Sequence, residues 1–237
     1  MEDDKVDQYL DKSKYQKIVI ITYNELNLGK DFHINHKLTP NIYLNEDLDR
    51  IFSRFNETTR NEIRRTFKNS DLKFMARDKN FDKIYDLYKN FEYNQGRVPF
   101  NRGAMKEFSA FSAYYKGELF SLILCFDSFP YLRARSICSK RLEIEDKEIY
   151  KTISNATRRL IYEICKYGVE HGYKLFDLGS MPADLKNKKK AGIAAFKGSF
   201  GGKLEDEYTY TYKSKLYRFF EKLIKIKLFL LKTLKLR

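Results

Sequence analysis

The chain has 237 residues, of which 43% are apolar, and its 19 Phe and 18 Tyr supply ample material for a core, so disorder is excluded as its general state. Against 32 Asp and Glu stand 46 Lys and Arg, a net charge of +14 that points to a polyanionic partner: nucleic acid, anionic lipid or a phosphorylated small molecule. No helix-turn-helix, finger or basic-zipper pattern is present, which excludes a sequence-specific DNA binder.

The opening MEDDKVDQYLDK lacks the basic-then-apolar pattern of a signal peptide, and a cytoplasmic protein is expected. QKIVIITY, residues 16 to 23, reads as a strand from its β-branched run. His33 and His36 follow as loop histidines; no Cys or His joins them at zinc-ligand spacing, and no metal site is predicted. Asn45 is placed to cap a short helix bearing Leu48, Ile51, Phe52 and Phe55, and a second helix runs through ETTRNEIRRTFK. LKFMAR then reads as a strand, and Phe81, Ile84, Tyr85, Leu87, Tyr88 and Phe91 mark a helix ending near NQG.

From Glu107 to Lys140, alternating stretches are punctuated at Lys116-Gly117 and at Asp127 to Pro130, which predicts a meander of three antiparallel strands. A long helix is expected from Glu148 to His171, with Gly172 at its left-handed C-terminal cap. YKLFDLGS is a buried strand, and after a glycine- and lysine-rich stretch read as a flexible loop, LEDEYTYTYK makes the last strand. Cys125, Cys138 and Cys165 form no CxxC pair and are read as reduced thiols.

Residues 213 to 237 hold nine Lys or Arg and one Glu. Leu216, Phe219, Leu223, Ile226, Leu230 and Leu234 recur at steps of three and four, with Arg218, Lys222, Lys225 and Lys232 mainly on another face. This is a basic amphipathic helix without the ~18-residue apolar run of a spanning segment. It either lies on the cytoplasmic face of a membrane or docks on the protein itself, on its own core or on that of a twin subunit; periodicity does not separate the two.

The order from residue 72 onward, strand, helix, three-strand meander, helix, strand, loop, strand, is close to the core of the GNAT acyltransferases. FDLGS followed by GIAAFKGSFGGK resembles the "fDlGG … gi..FK..FGG" signature of the FemAB-like branch, and FNETTRNEIRRTFKNSDLKF is similar to its "fs.ktR..Ir.a.k.g" segment. The resemblance spans roughly residues 40 to 212. It implies an α+β fold with a mixed, mostly antiparallel sheet, divided into a partial first lobe (1–70), an acyltransferase core (71–213) and the basic tail (214–237).

The resemblance also implies the chemistry. Such enzymes pass an acyl group from a thioester, or from an aminoacyl ester of tRNA, to an amine. The donor arm is expected between the last meander strand and the strand after the long helix, near Ile137, Cys138, Leu178 and Gly179, with the pyrophosphate of coenzyme A at the long helix N-terminus. The usual Q/RxxGxG/A segment is replaced by SKRLEIEDKE, where Ser139, Lys140 and Arg141 stand in as side-chain donors. The family's Phe-Lys pair falls on Phe196 and Lys197, which makes Lys197 the stabiliser of the developing oxyanion.

Asp177, at the end of the buried strand, is the candidate to orient or deprotonate the amine, with a structural role as its alternative. Gly198, Gly201 and Gly202 are expected to turn the chain and approach substrate. Arg60, Arg64 and Lys68 recur every fourth residue and form one cationic stripe for a phosphate, or a solvated face paired with Glu57 or Glu62. The leading expectation is an acyl-CoA enzyme, acetyl-CoA foremost, that acylates an amino group on a nucleotide- or lipid-linked sugar precursor of the cell envelope. The alternatives are an aminoacyl-tRNA-dependent transferase of peptidoglycan precursors and a non-catalytic, membrane-associated binding protein on the same scaffold.

Overall fold

The computed structural model describes residues 12–182 and 184–235, so the N-terminal stretch 1–11 lies outside the described residues. The described residues form eight strands and seven α-helices in two compact units. The larger unit is Thr39–Leu204, and the smaller joins the two ends of the chain, 12–38 and 205–235.

Within the larger unit, β2 (His33–Tyr43, from Thr39 onward) leads to helices α1 (Leu48–Arg54) and α2 (Glu57–Phe67). The N-cap of α1 is Asp47 rather than Asn45, while Asn56 caps α2 by accepting the Thr59 N–H at 2.8 Å. Then come β3 (Leu72–Met75), α3 (Phe81–Asn94) and the single turn α4 (Arg102–Met105). The meander is β4 (Ser109–Tyr115), β5 (Glu118–Ser128) and β6 (Tyr131–Ser139). Lys116 and Gly117 both adopt positive φ, 51° and 81°, the two left-handed residues that a tight hairpin turn needs. Helix α5 (Lys147–Glu170) crosses back to β7 (Leu175–Asp177), which runs parallel to β6. The strand order is β2-β7-β6-β5-β4-β3, mixed and mostly antiparallel.

Period-two alternation separates the two faces of this sheet. Phe111, Ala113, Ile123 and Cys125 point into a core shared with Ile51, Phe55 and Ile63 of α1 and α2 and with Leu160, Ile161 and Ile164 of α5. Their neighbours Ala110, Tyr114, Leu122 and Leu124 pack against Ile84, Leu87 and Tyr88 of α3. Strand β5 is covered on both faces, which is why LFSLILC reads as a continuous apolar run.

In the smaller unit, β1 (Lys17–Thr22) pairs antiparallel with β8 (Lys203–Lys213), from Lys17 opposite Lys213 to Thr22 opposite Tyr208. Leu26, Leu28, Phe32 and Tyr210 form its core, where the Tyr210 hydroxyl accepts the Leu26 N–H at 2.6 Å. His33 and His36 lie on β2 and not in a loop; His36 Nε2 stands 2.7 Å from Asp206 and its ring stacks on Tyr208 at 4.7 Å. Strand β2 escaped the sequence reading because its first half is polar and Pro40 interrupts it.

Helix α7 (Lys215–Lys235) closes the described chain. Leu216, Phe219, Leu223 and Ile226 are 55, 57, 46 and 56% exposed, so this part of its apolar face is not covered by the described residues. The side chains of Lys225, Leu230, Lys232 and Leu234 lie outside the described residues. No described helix is long and apolar enough to cross a membrane.

Candidate active site

Strands β6 and β7 are paired from Tyr131 opposite Leu175 to Arg133 opposite Asp177. There β7 ends, while β6 continues to Ser139 alongside β5, so the two strands part at Arg133 and Asp177. Asp177, Gly179 and Lys197, three of the candidate residues, come together at this fork.

Asp177 is 1% exposed. Its Oδ1 accepts from the Thr39 hydroxyl and, at 2.6 Å, from the Gly179 N–H, and its Oδ2 takes the Arg133 guanidinium. These donors hold the buried carboxylate in the way that a structural role, one of the two expected from sequence, calls for. The chain then turns through Gly179 at φ 76°, where a Cβ would stand 3.0 Å from the Ala134 carbonyl oxygen and 3.4 Å from Lys197 Nζ. Leu178 is buried and donates its N–H to the Pro40 carbonyl at 3.1 Å.

The cationic stretch after β7 is not a flexible loop: Lys188–Gly198 is helix α6. The Asn187 side chain caps it by accepting the Lys189 and Lys190 N–H groups at 3.0 and 3.2 Å, and three alanines with four lysines favour the helix. Gly192 and Gly198 hid it from a search for periodicity. Lys197 stands in its last turn and donates from Nζ to the Gly179 and Ser180 carbonyls at 2.8 and 3.0 Å. Phe196 anchors the helix, its ring 5.1 Å from that of Phe200 and 5.5 Å from the Arg158 guanidinium, which pairs with Glu62 at 2.7 Å.

Two of the three candidate glycines lie tight against neighbouring backbone. Gly201 has φ 62°, and a Cβ there would lie 2.2 Å from the Arg54 carbonyl oxygen at the end of α1. Gly202 lies against the backbone of Pro40 and Asn41, at 3.1 Å from its own absent Cβ, whereas Gly198 has open space beside it. The Asn56 N–H donates to the Ser199 carbonyl at 2.9 Å, which ties the start of α2 to this same turn.

Arg60, Arg64 and Lys68 share α2, but they do not form a set of equivalent cations. Arg60 closes the end of α1 by donating to the Ser53 carbonyl at 2.7 Å and to that of Phe55. Arg64 covers the Phe52 ring at 5.6 Å and bonds Asn61 at 3.1 Å, while Lys68 is the exposed C-cap. Glu62 pairs with Arg158 and not with the stripe.

On the donor side, Ile137, Cys138 and Ser139 lie on β6 past the fork. Cys138 is fully buried in the core under α3, and burial pushes its thiol up, so its side chain is packing and not a thiolate. Lys140 is paired with Glu118, and the Arg141 guanidinium lies 5.4 Å from the Tyr150 ring. The N-terminus of α5 is occupied by its own side chain: Asp146 accepts the Glu148 and Ile149 N–H groups at 2.9 Å each, with Glu143, Glu145 and Glu148 close in sequence. Among the described residues, no cluster of His, Cys, Asp or Glu has the makings of a metal site.

Arg133 and Thr39, the partners of Asp177, escaped the sequence reading. Arg133 gave one signal, a charge on an inner strand that is only 17% exposed. Thr39 gave none.

Comparison with solved structures places this arrangement. The chain superposes on FemX with a TM-score of 0.62 at 13% identity, over 94% of its own length and 80% of the other. It matches an acetyltransferase of the GNAT family from Novosphingobium aromaticivorans with a TM-score of 0.50 at 10% identity, over 90% and 81% of the two chains. The fold is that of the GNAT superfamily. A third match is the DUF2156 C-terminal domain assigned to a lysylphosphatidylglycerol synthetase of Agrobacterium fabrum, with a TM-score of 0.54 at 13% identity. That match covers 84% of this chain, which spans 65% of the other's length. No family model and no curated protein matches the sequence.

Proposed function

We propose that this GNAT-fold protein is an N-acyltransferase acting on an amine of a cell-envelope precursor, with the fork of β6 and β7 as its centre. The observation that carries the reading is Lys197, whose ammonium is fastened to the Gly179 and Ser180 carbonyls where the strands part. The amine nitrogen attacks the acyl carbonyl, the C–S or C–O bond to the donor breaks, and the thiol or ribose hydroxyl leaves with the proton lost by nitrogen. Lys197 stabilises the negative charge that develops on the carbonyl oxygen. Asp177 and Arg133 position the backbone to which Lys197 is held.

Two donors fit this centre. Acyl-CoA, acetyl-CoA in the simplest case, is supported by the divergence of β6 from β7, which opens backbone to an acyl arm. An aminoacyl-tRNA is supported by the α5 N-terminus, where Asp146 already takes the N–H groups that a pyrophosphate would use. The likeness to FemX and the net charge of +14 agree with that second donor. The acceptor is an anionic, nucleotide- or lipid-linked sugar or peptide precursor. Helix α7 supports contact with an anionic membrane surface on the cytoplasmic side, since its apolar residues are exposed among basic ones.

Calorimetric titration with coenzyme A and acetyl-CoA, beside filter binding of aminoacylated tRNA, each at low and physiological salt, decides the donor. Saturable binding that survives salt identifies it. With that donor and an amino-sugar or peptide acceptor, Lys197→Ala is expected to lower turnover about 10²–10³-fold while leaving donor binding intact; unchanged turnover would remove Lys197 from the chemistry.

A further inference from the structure

Helix α6 carries the lysine of the transfer centre but is lightly seated. Only Ala194 of its eleven residues is buried, and at its N-terminal end the Lys189 ammonium reaches the Gln95 side chain at the end of α3. The last turn is fixed instead by the ring beside the lysine. Phe196 packs on the main core and meets Phe200 edge-on at 5.1 Å, and Phe200 in turn meets Phe55, at the end of α1, at 5.2 Å.

A guanidinium covers the same ring. Arg158, on α5, lies 5.5 Å from the Phe196 centroid; its Nη1 donates to the Ser154 hydroxyl at 2.9 Å, and its Nε stands 2.7 Å from Glu62 Oε2 on α2. The side chains of Arg158 and Glu62 are 21 and 23% exposed, so the cation meets the ring largely out of water, where such a contact is stronger. Helices α2, α5 and α6 are thereby joined through Glu62, Arg158 and Phe196, next to Lys197. The following residue of α5 makes the contrast. Arg159 pairs with Glu163 at 2.8 Å and is as little exposed, yet its guanidinium lies against Phe67 of α2 and Phe74 of β3, at 4.2 and 4.4 Å. One arginine braces α2 and the sheet, while its neighbour reaches α6.

We propose that Glu62 and Arg158 are positioning residues of the transfer centre: their ion pair clamps Phe196 and thereby keeps the Lys197 ammonium on the Gly179 and Ser180 carbonyls. The proposal rests on the reading of Lys197 as the oxyanion stabiliser. Removing the cation loosens the last turn of α6, and a displacement on the order of 1 Å at a group that stabilises charge costs up to about 10²-fold in rate.

Heteronuclear NMR of the lysine ammonium groups tests it on the full chain without substrate. A hydrogen-bonded ammonium exchanges its protons slowly enough to be observed, and the Lys197 signal is assigned by its loss in Lys197→Met. The signal is expected in the parent protein and in Arg158→Lys, which keeps a cation over the ring, and is expected to be lost or broadened in Arg158→Gln and Glu62→Gln. Arg159→Gln, which breaks a similarly buried pair on the same helix, should lower the urea midpoint comparably and leave the signal in place. With donor and acceptor in hand, Arg158→Gln should lower kcat about tenfold at unchanged KM. The proposal is overturned if the parent lacks the signal, if Arg158→Gln retains it, if Arg159→Gln loses it equally, or if kcat in Arg158→Gln matches the parent. Because the signal is read without turnover, a held ammonium together with unchanged turnover in Lys197→Ala ends the transfer reading and leaves the positioning of Lys197 intact.

Discussion

Asp177–Arg133 joins β7 to β6, Asp127–Arg77 joins the end of β5 to the turn after β3, and these two carboxylate–guanidinium pairs differ in what surrounds them. Around Asp177 everything is closed: the carboxylate is 1% exposed, its other partners are a buried threonine and a backbone N–H, and the chain beyond is pinned by Lys197. Around Asp127 the same kind of pair borders an open cavity, and its arginine side chain is 44% exposed. A closed pair fixes backbone, whereas an open one presents its cation. The two pairs differ more in the burial of the arginine, 17% against 44% exposed, than in that of the acid, 1% against 10%.

The sharpest way to break this comparison is Asp177→Ala, which leaves Arg133 and the Gly179 N–H without their buried acceptor. Urea denaturation is expected to show a loss of about 3–5 kcal/mol; a loss within ~0.5 kcal/mol would mean that the pair is not part of the scaffold. Tyr173→Phe should cost less, about 1 kcal/mol, by removing one donor to Asp127. It also has a pH signature. Burial and the bond to Asp127 push the Tyr173 phenol up to about 12 from an ordinary value of 10. Its stabilising contribution is therefore complete below pH 10 and is lost as pH rises from there through about 12. Ultraviolet titration should show several tyrosines ionising late, Tyr114 and Tyr173 among them, and one fewer in Tyr173→Phe; an unchanged late phase in that variant would mean that the network is more open than drawn. The smallest effect belongs to Phe129→Leu, within ~0.5 kcal/mol of the parent in the same denaturation, since the ring is 69% exposed.

Much of the fold was legible because its signals are local. The meander announced itself by alternation and by Lys116-Gly117, and α5 by its repeat and by Gly172 at φ 72°. What stayed hidden depends on partners distant in sequence. Strand β2 has no apolar pattern in its first half, and its buried Thr39 becomes meaningful only when folding brings it to Asp177, 138 residues away. Helix α6 was missed for the opposite reason: its glycines and lysines resemble a loop, and its one strong cue, Asn187, is common in turns. Asp127 read as a turn residue because proline follows three positions later, yet it ends inside β5 with three donors around it. Lys197 was found through motif likeness, and the structure adds that backbone carbonyls hold it.

The 2.2 Å between the absent Cβ of Gly201 and the Arg54 carbonyl bears on how a mutational scan of this chain is to be interpreted. Intolerance at Gly201 would appear in any assay that requires a folded protein, catalytic or not. The glycine motif that signals a transferase is, at this position, a record of how closely a helix end and a returning chain approach. A descendant that had abandoned chemistry would still carry it, so evidence for catalysis has to come from Lys197, one turn of helix earlier.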